Sequence, residues 1–341
     1  MKRNLLVTFY SFNAKKCHCE RSEAISGSRL LKTSLIIFLI SISSSFAAEL
    51  INPFTTDGNW YKTNLHTHTT RSDGDVNLPV RVKQYRDKGY QVLVVTDHEK
   101  TNKVDGYSDA NFLLLNGMET HPKSNSQINY HFVCINIPES LSFAKNVNAM
   151  ERIRQVKASG GEVIFAHPYW SGHNINDMLA VDGYIAMEVH NSYDGIYYIG
   201  KGYSSVQWDQ LLNTGKIIPA VAADDVHRSK FVGLSWIMIK AKELTPTAIM
   251  DSLRAGSFYA SCGPVFENFR IDGDSVVVKC SPAVEICFMG QNNISHNVTA
   301  DKNNLITSAK YKLPDKIKWV RAEIIDANGR HAWTNPIIIK E

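Results

Sequence analysis

From residue 59 to about residue 263, short apolar runs alternate with amphipathic stretches. The runs 93–96, 132–137, 163–166, 185–189, 217–222 and 236–239 have the length and bounded apolar character of buried strands. Between several of them, 78–88, 148–158, 206–213 and 245–255 carry apolar positions at helical spacing. Strand-helix alternation of this kind predicts a largely parallel sheet with crossover helices, and the number of units favours a barrel over an open sheet. From about Pro264 helical periodicity ends. The segments 269–271, 275–279, 284–288, 318–325 and 337–339 predict short strands, with Asp272-Gly273 and Asn328-Gly329 as turns. The expected organisation is an α/β barrel over 49–263 and a small all-β, sandwich-like domain over 264–341.

The chain has 341 residues, 44% of them apolar, which fits one large domain plus a minor one and excludes gross disorder. Its formal charge of +4 is misleading, because residues 1–48 hold seven Lys/Arg against two Asp/Glu. The other 30 basic and 31 acidic residues leave a net of −1. No basic stripe of the kind that stable nucleic-acid binding needs is visible. Lys32, the apolar run 35–40 and the small residues up to Ala47-Ala48 form a signal-peptide pattern, too short for a comfortable membrane span. Residues 1–48 are therefore read as leader and signal peptide, and the protein as exported to the periplasm or exterior of a bacterium. Residues 1–30 suit a leader poorly. The stretch Cys17-His18-Cys19-Glu20-Arg21 resembles a translated bacterial intergenic repeat, which puts the expected start near Leu30 or Leu31.

Beyond the leader, Cys134, Cys262, Cys280 and Cys287 show no zinc spacing. Cys280 and Cys287, in neighbouring expected strands, could pair in an oxidising compartment, with unpaired buried thiols as the alternative. Asn293-Ile294-Ser295 and Asn297-Val298-Thr299 match glycosylation acceptors and are read as turn residues. Tyr193, Tyr197 and Tyr198, with Gly195 and Gly200, are read as a loop whose rings serve as hydrophobic cover or stack on a base or sugar.

Chemistry gathers where the strands stop. Thr63-Asn64-Leu65 runs into His66-Thr67-His68, and Val94-Val95-Thr96 into Asp97-His98. Ile164-Phe165-Ala166 runs into His167, Ala186-Met187 into Glu188-Val189-His190, and Ala220-Val221-Ala222 into Asp224, Asp225 and His227. In (β/α) barrels such ends converge on one face. Residues two apart on a strand share a side, so His66 with His68, and Asp225 with His227, can serve one metal or two adjacent ones. Imidazole and carboxylate suit zinc, iron and manganese. One histidine at a strand end is usually just hydrogen-bonded. Burying this many titratable groups without a cation costs several kcal/mol, roughly, or more.

Leu65-His66-Thr67-His68-Thr69 with Ser72-Asp73-Gly74 resembles the first motif of the PHP (polymerase and histidinol phosphatase) superfamily. Thr96-Asp97-His98 resembles its second, and Gly117-Met118-Glu119, Ala166-His167-Pro168 and Asp225-Val226-His227 are similar to the later ones, in the right order. The tail with Ala332-Trp333-Thr334-Asn335-Pro336 is similar to the end of exported two-domain members related to carbaryl hydrolase. The resemblance implies a distorted (β/α)7 barrel holding two to three divalent transition metal ions (zinc, manganese or iron). By motif, His66 and His68 would bind one ion with Glu119 and Asp225. Glu119 would bridge to a second held by His131 and His167, and a third would sit between Asp73, His98 and His227. His131 opens a strand rather than ending one, and His121 competes with it. The implied activity is a metal-dependent phosphoesterase that hydrolyses a small-molecule phosphate mono- or diester with a metal-bridging hydroxide. Arg71 and Arg228 are candidates to clamp the phosphate, with ordinary surface arginines as the alternative, and His190 either protonates the leaving group or merely lines the pocket. Asp224 is read as orienting a ligating histidine. Two alternatives stand beside this: a carbamate or carboxyl ester hydrolase using the same site, and a secreted binding protein without catalysis.

Overall fold

The structure is a computed structural model that describes residues 50–198, 200–301 and 304–340. The leader read in residues 1–48 lies outside the described residues. Seven strands form the first layer: β1 (Asn59–Asn64), β2 (Val92–Val95), β3 (Leu113–Thr120), β4 (Phe132–Ile135), β5 (Glu162–Phe165), β6 (Ala186–Asn191) and β7 (Ala220–Ala223). They lie in that order, with β1–β2–β3 parallel, β4 antiparallel to both β3 and β5, and β5–β6–β7 parallel. The ring closes through the residues that follow β1 and β7. Thr67 bridges Val226 in parallel, His68 N donates to Val226 O at 3.1 Å, and Asp225 N donates to His66 O at 3.0 Å. The result is a closed, distorted α/β barrel.

Strands β2, β4, β5 and β7 are buried at every position, which is why β2, β4 and β7 read as unbroken apolar runs and β5 as one after Glu162. Helices α1 (Leu78–Asp87), α2 (Ala149–Ala158), α3 (Pro168–Ser171), α4 (Ile175–Leu179), α5 (Ser192–Tyr197), α6 (Ser205–Asn213) and α7 (Pro246–Arg254) connect the strands or cover them. Local chemistry starts them. The Asn77 side chain accepts from Val80 N to open α1, Asn148 accepts from Glu151 N to open α2, and Thr245 accepts from Ala248 N to open α7. Their inward faces carry Val82 and Tyr85, Ile153 and Val156, and Ile249 and Leu253. Each such burial contributes roughly 1.5–3 kcal/mol. No helix among the described residues is long and apolar enough to cross a membrane.

The sheet does not stop at the ring. β8 (Trp236–Ala241) pairs antiparallel with β1, and β9 (Phe258–Ser261) with β8. The remaining strands are β10 (Phe266–Asp272), β11 (Ser275–Ala283), β12 (Glu285–Met289), β13 (Ser295–Thr299), β14 (Ile306–Lys312), β15 (Trp319–Ile325), β16 (His331–Thr334) and β17 (Ile337–Ile338). β16 joins β9, so β16, β15, β12 and β13 extend the same sheet, while β10, β11 and β14 make a separate antiparallel one. Phe266, Phe269 and Val278 from the second sheet meet Ile286, Phe288 and Ile324 from the first in one buried cluster. This is a sandwich of two antiparallel layers.

Two expectations need correction, and one open choice is resolved in favour of unpaired thiols. Asn297-Val298-Thr299 is strand, not turn: it forms β13 against β12. Its side chains are mostly exposed, so it carries no apolar signal. Residues 192–197, expected as loop, make the short helix α5 because the Asn191 side chain accepts from Asp194 N. Cys280 and Cys287 do not pair: β11 and β12 belong to different sheets, and all four cysteines beyond the leader are free.

Candidate metal centre

The carboxyl ends of the barrel strands deliver the donors. His66 and His68 follow β1, His98 follows β2, Glu119 ends β3, His167 follows β5, Glu188 lies in β6, and Asp225 and His227 follow β7. His131 precedes β4. Because β4 runs antiparallel to its neighbours, its start lies at the end where they finish. The approach is tight. A Cβ on Gly74 would lie 2.6 Å from the His68 carbonyl, so only glycine lets the loop carrying Asp73 fold back onto β1. His167 and Asp225 hold positive φ, 25° and 51°. Such conformations cost roughly 1–3 kcal/mol each and persist where surroundings impose them.

Four atoms stand out. His66 Nε2 lies 3.2 Å from His68 Nε2, 3.3 Å from Glu119 Oε2 and 3.3 Å from Asp225 Oδ1. His68 Nε2 lies 3.5 Å from Glu119 Oε2 and 2.9 Å from Asp225 Oδ1. A tetrahedral ion with bonds of about 2.0–2.2 Å separates its ligand atoms by roughly 3.3–3.6 Å. The three mutual distances among His66 Nε2, His68 Nε2 and Asp225 Oδ1 are at or slightly under such an edge, so this donor set fits a metal ion, with Glu119 Oε2 within 3.5 Å of both histidines. A second group uses the other Glu119 oxygen: Oε1 lies 2.7 Å from His131 Nδ1 and 3.4 Å from His167 Nε2. In a third, Asp73 Oδ2 lies 3.3 Å from both His98 Nε2 and His227 Nε2. His121 also reaches Glu119 Oε1, at 3.5 Å, and groups with His98. The structure thus brings all nine expected donors together, with His121 beside them.

A second layer holds these side chains. Glu188 meets His66 Nδ1 at 2.8 Å and accepts from His167 N and Asn191 Nδ2, both at 3.0 Å. Asn191 Nδ2 also donates to Asp225 Oδ2 at 3.1 Å. Buried Asp97 accepts from Thr69 N, Ser72 N, Ser72 Oγ and Asn102 Nδ2, and so shapes the loop that carries Asp73. Arg81, fully buried, donates from Nε to His68 O at 3.0 Å.

The electrostatics of the cluster favour bound positive charge. Burial alone would depress His66, yet Asp225, Glu188 and Glu119 outweigh it and hold the ring well above the usual imidazole range. Burial opposes His98 and His167 too, but Asp73 and Glu119 push the first up to about 10, and Glu119 and Asp194 push the second up to about 9. Burial would raise Glu119 and Asp225. The surrounding histidines instead hold both well below the ordinary carboxylate range. Burial wins at His68, which is lowered despite Asp225 beside it, and at His131, lowered to about 4. The buried carboxylates draw protons onto histidines because they demand positive charge, which bound cations supply directly.

The remaining expected residues sit elsewhere. The cavity over the cluster measures about 230 Å³, and neither Arg71 nor Arg228 lines it; both are exposed. His190 does not line it either. Its ring packs 4.6 Å from Tyr203 and 5.8 Å from Trp333, and burial lowers it to about 3. Asp224 orients no histidine; its carboxylate accepts from Gly233 N, Leu234 N, Ser235 N and Tyr85 Oη. It therefore anchors the 233–235 turn.

Two acids escaped the sequence reading. Glu188 was visible at a strand end but had no assigned role. Asp194 is buried and lines the cavity, burial raises it to about 7, and its Oδ2 has no hydrogen-bond partner. The spacing of Asn191 and Asp194, a cap followed by an acid in the first turn, was its signal.

No protein-family model matches the chain, and no curated protein matches it. Solved structures do. One is a two-domain protein containing a predicted PHP-like metal-dependent phosphoesterase from Bacteroides vulgatus, 15% identical, with a TM-score of 0.49 over 82% of this chain and 94% of that one. Another is an amidohydrolase from Chromobacterium violaceum with bound sulfate, 15% identical, with a TM-score of 0.41 over 57% of this chain and 96% of that one. A third is a lesion-specific endonuclease from Pyrococcus furiosus, 13% identical, with a TM-score of 0.42 over 57% of this chain and 56% of that one.

Proposed function

We propose that the protein is a metal-dependent phosphoesterase of PHP type, acting on a small phosphate mono- or diester. The carrying observation is the convergence of His66 Nε2, His68 Nε2 and Asp225 Oδ1 at 2.9 to 3.3 Å from one another, with Glu119 Oε2 within 3.5 Å of both histidines. His131 and His167 would share Glu119 with it, and Asp73, His98 and His227 would complete a third position. Nitrogen and oxygen donors suit zinc, manganese or iron, and bound ions of this kind acidify water and offset charge on phosphoryl oxygens.

The chain's own residues do the rest. Glu188 fixes the His66 ring and the His167 backbone, and Asn191 ties Glu188 to Asp225. These contacts fix the donor directions in advance. Asp194, which lines the cavity, would hold a proton near a leaving oxygen, the role first assigned to His190. We further infer export to the periplasm or beyond from the leader pattern, and a division of labour at residue 263 between barrel and β tail.

One observation favours a second reading. Among the described residues that line the cavity, none is lysine or arginine. A carbamate or carboxyl ester, uncharged, needs no such clamp. A panel of p-nitrophenyl phosphate, bis-p-nitrophenyl phosphate and 1-naphthyl carbamate separates the two. The metal-loaded protein is expected to turn over at least one phosphate ester faster than the carbamate. Turnover of the carbamate alone contradicts the phosphoesterase reading.

A further inference from the structure

The cavity over the donor cluster has aromatic walls. Trp170, on α3, lies edge-on to His167 and His131 with centroids at 5.1 and 5.6 Å. Tyr193, on α5, packs on His227 at 4.4 Å. Both rings line the cavity, and Tyr198 joins them beside Trp170 at 5.7 Å. The two walls therefore rest on different members of the histidine cluster. Around them the surface stays apolar: Tyr169 is 38% exposed, Ile196 41%, and Tyr197 and Tyr198 47% each. Exposed apolar side chains are unremarkable when scattered, but here Tyr198 packs on Trp170 and Tyr197 on Tyr193 at 4.6 Å, so each cavity wall carries a second exposed ring, a surface suited to cover by an apolar group. Nearby cations do not answer for it. Lys201 Nζ sits over the Tyr169 ring at 4.2 Å, and Arg228 lies outside the cavity.

We propose that Trp170 and Tyr193 form a subsite for a flat, uncharged ring on the leaving group, which makes the substrate class an aryl-type ester. The inference rests on the hydrolase reading and deepens it. A flat ring can stack on or meet the edge of either side chain, and it buries apolar area that water otherwise wets. Donors under the rings hold the scissile group, so the ring and the reacting centre are recognised by different residues.

Binding tests this without turnover. Zinc-loaded protein is titrated by calorimetry with phenylphosphonate, methylphosphonate and p-cresol, as wild type and as Trp170→Ala. Trp170→Leu, which keeps apolar bulk but not the flat ring, guards against misfolding of the alanine variant. Phenylphosphonate is expected to bind wild type roughly tenfold tighter than methylphosphonate, and to lose that advantage in both variants. Methylphosphonate affinity should stay within about twofold throughout. Equal binding of the two phosphonates to wild type overturns the subsite and leaves the phosphoesterase reading standing, as does a preference that survives in Trp170→Leu. Binding of p-cresol that depends on Trp170, with neither phosphonate bound, supports the subsite and sinks the phosphoester. Absence of binding by all three overturns both.

Discussion

His68→Ala is expected to lower turnover of the responsive phosphoester on the order of a thousandfold or more while the chain stays folded. His68 Nε2 takes part in three of the five short distances that define the first metal position. Its ring also lies between those of His98 and His227, at 4.4 and 4.3 Å, so its loss loosens the third position as well. Removing a residue that merely orients a ligand typically costs 10–100-fold, roughly, and removing the ligand itself costs more. The fold is insulated because the backbone of His68 is held by Val226 O and by Arg81 Nε, neither of which needs the ring. Steady-state kinetics beside circular dichroism checks both halves. Wild-type rates in the variant contradict the assignment.

Stripping the metals with a chelator is expected to lower Tm by roughly 10 °C at neutral pH, taking about 4 kcal/mol of binding linkage and a few degrees per kcal/mol for a domain of this size. Glu119, Glu188 and Asp225 are buried, and without cations only protonated histidines offset them. The stripped protein should therefore depend on pH with a definite sign. His98 and His167 are raised, to about 10 and about 9, above the unfolded value of 6.5. Their stabilisation is fully present below about 6.5 and is lost as pH rises through about 9 to 10. The gap in Tm between loaded and stripped protein should thus widen from pH 6.5 to pH 9.5. Calorimetric scans at the two pH values measure it. A gap that is absent, or that narrows with rising pH, contradicts the electrostatic account.

Much of this was legible in the chain because burial and chemistry coincide there. Strands β2 and β7, and β5 after Glu162, are apolar on both faces and lead into Asp97-His98, Asp225 and His167, so one pattern reports both the element and its donor. The illegible parts each have a cause. β14 has one fully buried side chain in seven residues, and strand pairing through exposed residues leaves no apolar trace. The direction of β4 is not written in its own residues, which is why His131 looked misplaced until its antiparallel neighbours were seen. His190 misled through a rule that usually holds. Two residues after Glu188 it should share that side of β6, but a register shift between the two breaks the alternation and packs it by Trp333 instead. The union of the β tail with the barrel sheet through β16 and β9 is a long-range pairing, invisible to local pattern.

The gathering of distant donors around shared cations is tested most directly by elemental analysis of the purified protein, by inductively coupled plasma mass spectrometry after dialysis against metal-free buffer. The account predicts two to three transition metal ions per chain, with at least one lost in His68→Ala. A wild-type content well under one ion per chain, unchanged after reconstitution with zinc, manganese or iron, would contradict it.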